Sequence, residues 1–178
     1  SNAELASIFA QWNREELHSY LIEITADILG RLDPETGRSL VDLIVDEAAQ
    51  KGTGKWTTQT SLDLGAPIPT INSAVQGRLL SSIRGERAEA ARLYGESASY
   101  GGDLATLVAA AKDALYASKV MAYAQGLSLL RVAAQEYGWG LDLAAVVRLW
   151  RGGCIIRAAL LDKIAAAFTA QPHLPNLL

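Results

Sequence analysis

Residues 103–137 read DLATLVAAAKDALYASKVMAYAQGLSLLRVAAQEY. No other part of the chain constrains the architecture as strongly. The run contains no proline and a single glycine, and it reads as one long, mostly buried helix or two abutting ones. Gly126 is the point where it would bend. The uncharged part, Val120 to Leu130, is eleven residues, well short of the ~20 needed to span a bilayer. Gly138-Trp139-Gly140 ends the helix and Asp142 caps the next. Arg151-Gly152-Gly153 separates that helix from a last one over Cys154 to Phe168, which Pro172 and Pro175 stop.

Toward the N-terminus the spacing is again helical. Leu5, Ile8, Phe9 and Trp12 fall on one face. Asn13 followed by Glu16 has the form of an N-cap with a capping-box partner. The helix it predicts carries a buried stripe of Leu17, Tyr20, Leu21, Ile24 and Ile28 and ends near Gly30. Asp33-Pro34-Glu35-Thr36-Gly37 is a turn. A short helix follows over Leu40 to Ala49, with Val41, Ile44, Val45 and Ala48 inward. The segment Gln50 to Trp56 breaks the pattern. Helices are predicted from Thr57 to Leu64 and from Ile71 to Tyr94, with residues 95–102 a connecting loop. No run alternates with period two for long enough to make a strand, and no repeat is visible. The fold class is all-α, a multi-helix domain.

Composition agrees with that architecture. The 178 residues are 50% hydrophobic and 20% charged, which excludes intrinsic disorder. The formal charge of −3 gives no global reason to expect a nucleic acid or an anionic membrane as partner. One cysteine, Cys154, excludes an internal disulfide and suits a reducing compartment. Two histidines, His18 and His173, leave metal chemistry thinly supplied. With no signal peptide or membrane span in view, the chain reads as soluble and cytoplasmic. Ser1-Asn2-Ala3 reads as a tag remnant.

Three stretches could carry chemistry. Lys51-Gly52-Thr53-Gly54-Lys55 gathers two ammonium groups, a hydroxyl and two glycines at the start of a helix. Glycines let consecutive backbone N–H groups face an anion, and a helix N-terminus adds free donors and a positive dipole end. A phosphate or carboxylate cradle and a solvated inter-helix turn are both open readings. A Walker A loop is excluded, because Ala49 stands where glycine is required and Trp56 where Ser or Thr is. A dinucleotide-binding loop is excluded too, because Thr57 replaces its third glycine and a helix, not a strand, precedes it.

Arg78 is the second candidate. It shares a predicted helix face with Ile71, Ala74, Val75 and Leu79, so burial would oblige it to find a carboxylate or an anionic ligand. The third is Arg151-Gly152-Gly153-Cys154-Ile155-Ile156-Arg157, which could hold an anion or simply allow close helix packing. Cys154 reads as a packed thiol and His18 as a surface residue. The tryptophans at 12, 56, 139 and 150 read as core anchors.

Asp46-Glu47-Ala48-Ala49-Gln50-Lys51-Gly52-Thr53-Gly54-Lys55-Trp56 closely resembles the signature of the 6-phosphogluconate dehydrogenases, in their helical C-terminal domain. The resemblance continues in order through Trp12-Asn13, Leu21-Ile22-Glu23-Ile24-Thr25, Leu115-Tyr116-Ala117-Ser118-Lys119, Tyr123-Ala124-Gln125-Gly126, Trp150 to Arg157 and Asn176-Leu177-Leu178. It implies an NADP-dependent oxidoreductase that converts 6-phosphogluconate to ribulose 5-phosphate and CO₂ in the pentose phosphate pathway. It also implies a homodimer. Lys51 and Arg78 match the family's phosphate ligands, and Thr53 lies beside them. By the same resemblance, residues 4–178 correspond to the first half of the helical domain. The Rossmann domain that holds NADP, the base lysine and the acid glutamate are expected before residue 4. The arginine and histidine that complete the partner's phosphate site are expected after Leu178. No catalytic residue is then expected within this chain, which alone should be inactive. Gln76-Gly77 departs from the family pattern just before Arg78. A purely structural dimerisation module is the alternative reading. A related β-hydroxyacid dehydrogenase is disfavoured by the K-G-T-G-x-W loop.

Overall fold

Asp103 opens the longest element as expected. Its carboxylate accepts from the Thr106 amide at 2.8 Å and from the Thr106 hydroxyl at 2.6 Å, satisfying donors that a helix start leaves free. The computed structural model describes residues 1–49, 51–95 and 98–178. Gln50, Glu96 and Ser97, which belong to two of the predicted loops, lie outside the described residues. The helices are α1 (Asn2–Trp12), α2 (Tyr20–Gly30), α3 (Thr53–Asp63), α4 (Pro69–Ser82), α5 (Arg84–Tyr94), α6 (Leu104–Glu136), α7 (Leu143–Leu149) and α8 (Leu160–Ala170). A 3₁₀ turn spans Leu40–Leu43. Among the described residues there is no strand, only two isolated bridges. The all-α expectation holds. No described helix is long and apolar enough to cross a membrane.

The chain divides into two compact units, one of residues 1–44 with 140–177, the other of residues 45–139 with Leu178. In the first, α1 and α2 form a hairpin, close enough that a Cβ on Gly30 would meet the Ala6 methyl at 3.7 Å. The Ser1 hydroxyl caps α1 and Glu4 completes the capping box. α7 packs on α8. Leu17, Val147 and Leu161 are fully buried here.

Helix α2 starts six residues later than the capping-box pattern predicts. The Asn13 side chain accepts from the Ser19 amide at 3.0 Å, so it stabilises a turn rather than a helix start. Backbone at 18–20 is taken up by tertiary pairing: Tyr20 N–H donates to the Arg157 carbonyl at 3.1 Å and Ala159 N–H to the His18 carbonyl at 3.1 Å. This moves the buried register. Ile22 is buried, while Leu21 and Ile28 are exposed. The same pairing delays the last helix, which starts at Leu160 rather than Cys154. The helix expected over Leu40 to Ala49 reduces to the 3₁₀ turn; Ile44 is extended and, with Val45, exposed.

In the second unit, α6 is one unbroken helix of 33 residues. Gly126 does not interrupt it; the residue admits the Ile71 side chain, 3.8 Å from where a Cβ would sit. Burial is confined to the second half, at Ala124, Gln125, Leu127, Leu129 and Ala133. Leu129 clusters with Ala66 and Ile68, and Ile71 and Val132 pack around them. Gly138, at φ 67°, takes the left-handed conformation that ends α6. Trp12 is buried as expected, but Trp56 and Trp139 are 63% and 54% exposed, so those two are not core anchors.

The N-terminus of α4 is capped by another helix. Pro69 has no N–H to satisfy, and the Gln125 amide oxygen of α6 accepts from the Thr70 and Ile71 amides at 3.0 and 3.4 Å. Its amide nitrogen donates to the Thr70 hydroxyl at 3.0 Å. Gln125→Ala would leave those donors unpaired in a half-buried place. We expect a loss of about 1–3 kcal/mol, read as a lowered denaturation midpoint; an unchanged midpoint would remove the cap from the account.

The helix predicted from Ile71 to Tyr94 is two helices. Ile83 leaves helical geometry at ψ 52°. The Ser82 hydroxyl donates to the Leu79 carbonyl at 2.7 Å, and the Ser81 carbonyl accepts from the Arg87 guanidinium at 3.1 Å. Side chains thus serve carbonyls at this break that a continuous helix would use itself.

Candidate functional site: a cationic loop at the start of α3

The loop is built from an extended segment and a helix start. Asp46 to Ala49 has no regular structure of its own and is tied down by α4 and α5. Ala48 N–H donates to the Ser81 hydroxyl at 2.9 Å. Arg87 donates to the Asp46 carboxylate at 2.8 Å and to its carbonyl at 2.7 Å. The Arg78 guanidinium donates to the Ala49 carbonyl.

Gly52 then turns the chain at φ 105°, a conformation that side-chain-bearing residues rarely adopt. Helix α3 starts at Thr53, four residues earlier than predicted, so Thr53, Gly54 and Lys55 form its first turn. No side chain among the described residues caps it. Trp56 N–H closes the first helical bond to the Gly52 carbonyl at 2.9 Å. Gly54 faces α4: a Cβ there would lie 3.0 Å from a Val75 methyl, so glycine permits this approach one turn before Arg78. A hydrogen bond of 2.8 Å between Thr58 and Asn72 also joins α3 to α4.

Lys51 and Thr53 are exposed. Arg78 is exposed as well, which corrects the expectation that its apolar neighbours bury it. Helix α4 has no buried residue, so no desolvation forces the guanidinium into an ion pair. It is nevertheless brought to the loop through Ala49, two residues before Lys51, and its other N–H donors point to no recorded acceptor among the described residues. A helix start with free amides, a hydroxyl, an ammonium and a guanidinium tied to the same loop can together hold a phosphate-sized anion.

Arg87 and Ser81 were not legible as part of this region, because 41 residues separate Arg87 from Asp46 and 33 separate Ser81 from Ala48. The Arg87 guanidinium, by hydrogen bond and charge, holds the Asp46 carboxyl below the usual carboxylate range. On α6, burial lowers the pKa of the Lys119 ammonium.

The third stretch lies in the other unit, and its arginines are already engaged. Arg151 pairs with Asp162 at 2.9 Å, and Arg157 lies over the Tyr20 ring at 3.7 Å. They border an open surface cleft of about 280 Å³ with His18 and Glu23. The His18 ring nitrogen Nδ1 lies 2.8 Å from the Asn13 carbonyl. Cys154 is a free, half-buried thiol. Among the described residues no group of His, Cys, Asp or Glu has the makings of a metal site.

The second unit is all-helical among its described residues and presents a cationic glycine loop at a helix start. Comparison with known proteins gives the particular family. The family model for the 6-phosphogluconate dehydrogenase C-terminal domain matches residues 1–178, and the chain belongs to that family. It is 51% identical over 180 residues to the decarboxylating 6-phosphogluconate dehydrogenase of Synechocystis sp., covering 100% of this chain and 37% of that protein. It is 48% identical over 177 residues to the NADP(+)-dependent, decarboxylating enzyme of Bacillus subtilis, covering 98% and 38%. Among solved structures, Plasmodium falciparum 6-phosphogluconate dehydrogenase, determined in apo form and in complex with NADP+ and with 6-phosphogluconate, superposes with a TM-score of 0.92. The identity is 41%, over 99% of this chain and 38% of that one. The chain therefore spans somewhat more than a third of the length of these relatives.

Proposed function

We propose that this chain is the first half of the helical domain of an NADP-dependent, decarboxylating 6-phosphogluconate dehydrogenase, and that it supplies part of the substrate phosphate site. The observation that carries the reading is the bond from Arg78 to Ala49, which brings an arginine of α4 to the loop holding Lys51 and Thr53. In this reading Lys51 and Arg78 bind the 6-phosphate by charge, and Thr53 with the first amides of α3 adds hydrogen bonds. Fixing the phosphate holds the sugar acid so that C3 is placed for oxidation and the resulting 3-keto acid for loss of CO₂.

The described residues of this chain do not fit a dinucleotide. No described residue forms a strand, and Gly52 and Gly54 lie at the start of a helix that follows no strand. NADP, together with the base lysine and acid glutamate, is assigned to the N-terminal part of the whole protein, and the setting is the cytoplasm. Exposed apolar side chains on the same unit, including Leu62, Leu93 and Tyr94, favour a homodimer built partly on these helices. A structural role then coexists with the phosphate site.

The full-length protein tests the reading directly. Incubated with 6-phosphogluconate and NADP, it should form NADPH and CO₂ in equal amounts. Absence of both products would overturn the assignment.

A further inference from the structure

The segment leading into the cationic loop has no helix or strand to fix it, yet every second or third group on it is held. Asp46 is bound through both its carboxylate and its carbonyl, Ala48 through its amide and Ala49 through its carbonyl. Arg87 is central to this arrangement. Its side chain is one-third exposed, and its two terminal nitrogens reach Asp46 and the Ser81 carbonyl at the break between α4 and α5. Ser81 in turn receives the Ala48 amide. One planar fork therefore couples the segment before Lys51 to the helix that carries Arg78, a geometry a lysine cannot reproduce.

Charge adds a second effect. Asp46 stands five residues before Lys51, and a free carboxylate there would oppose a phosphate dianion. Paired with Arg87, its field is offset.

We propose that Arg87 is a positioning residue for the phosphate-binding loop. It sets the path of residues 46–49, and through them the placement of Lys51 and Thr53 relative to Arg78, without touching the substrate. The proposal rests on the reading of Lys51, Thr53 and Arg78 as the phosphate site.

The test uses the full-length enzyme and compares Arg87→Met, Arg87→Lys, Asp46→Asn and Arg78→Ala. KM for 6-phosphogluconate, KM for NADP, kcat and the inhibition constant of inorganic phosphate against 6-phosphogluconate are measured. Arg87→Met should raise the KM for 6-phosphogluconate and the phosphate inhibition constant together, by about tenfold, as for loss of one charge-assisted bond. KM for NADP and kcat should stay within about twofold. Arg87→Lys should fall between wild type and Arg87→Met. Asp46→Asn removes one charged bond while leaving the guanidinium in place, so it supplies the readout if Arg87→Met does not fold; both constants should rise about threefold. If Arg87→Met or, failing that, Asp46→Asn leaves both constants unchanged while Arg78→Ala raises them, the positioning role is overturned and the phosphate site stands. If Arg78→Ala also changes neither, the phosphate reading falls and the positioning role falls with it.

Discussion

Arg78→Ala in the full-length protein is expected to raise the KM for 6-phosphogluconate about 10- to 100-fold, the equivalent of a charge-assisted hydrogen bond of ~1.5–3 kcal/mol. KM for NADP should change little, because the proposed dinucleotide site lies outside the described residues of this chain. Two losses contribute. In the proposed site the phosphate loses a guanidinium donor, and the Ala49 carbonyl loses its tether. Arg78→Lys separates them: a point charge restores part of the phosphate attraction but not the planar fork. Steady-state kinetics on the three proteins checks the expectation, and an unchanged KM in Arg78→Ala would remove Arg78 from the site.

Leu161→Ala is expected to cost about 2–5 kcal/mol of stability. Leu161 has no exposed surface, and Val147, Ile164 and Phe168 of α7 and α8 are buried with it. Truncation leaves a cavity that a helix packed on its neighbour closes only in part. Leu161→Met keeps the volume and should cost less than about 1.5 kcal/mol. Urea denaturation of the full-length protein, followed by amide exchange in residues 143–170, gives the comparison. Equal midpoints for the Ala variant and wild type would show that this packing does not support the unit.

Helix against strand was legible from residue spacing alone, as the run from Asp103 to Tyr137 illustrates: its cap, its length and its glycine stop all stand where the sequence puts them. Boundaries failed wherever a distant partner took the backbone. Ser19 bridges Ala158, so both the helix expected after Asn13 and the one expected from Cys154 start late. At the break at Ile83 the Arg87 guanidinium reaches the Ser81 carbonyl, and nothing in the local pattern of α4 and α5 announces it. Burial was harder still. A helix face of Ile71, Val75 and Leu79 looks like a core stripe, yet α4 is largely open, and Arg78 on that face is exposed and donates to the Ala49 carbonyl.

The loop at Lys51 shows the same division. Glycine and lysine content marked the place, and the similarity of several separated motifs to one family gave it a meaning that composition left open. Its geometry came from elsewhere in the chain. Gly52 at φ 105° starts α3 within the motif, while Ser81, Arg78 and Arg87 hold the residues before it. Those contacts span 29 to 41 residues, beyond the reach of any local rule.

A crystal structure of the full-length protein with 6-phosphogluconate bound examines the phosphate site most directly. The expected result is the 6-phosphate within hydrogen-bond distance, about 2.7–3.2 Å, of the Lys51 ammonium and the Arg78 guanidinium, with Thr53 at its side. A phosphate held by other residues, with the Lys51 and Arg78 side chains facing away from it, would contradict the account.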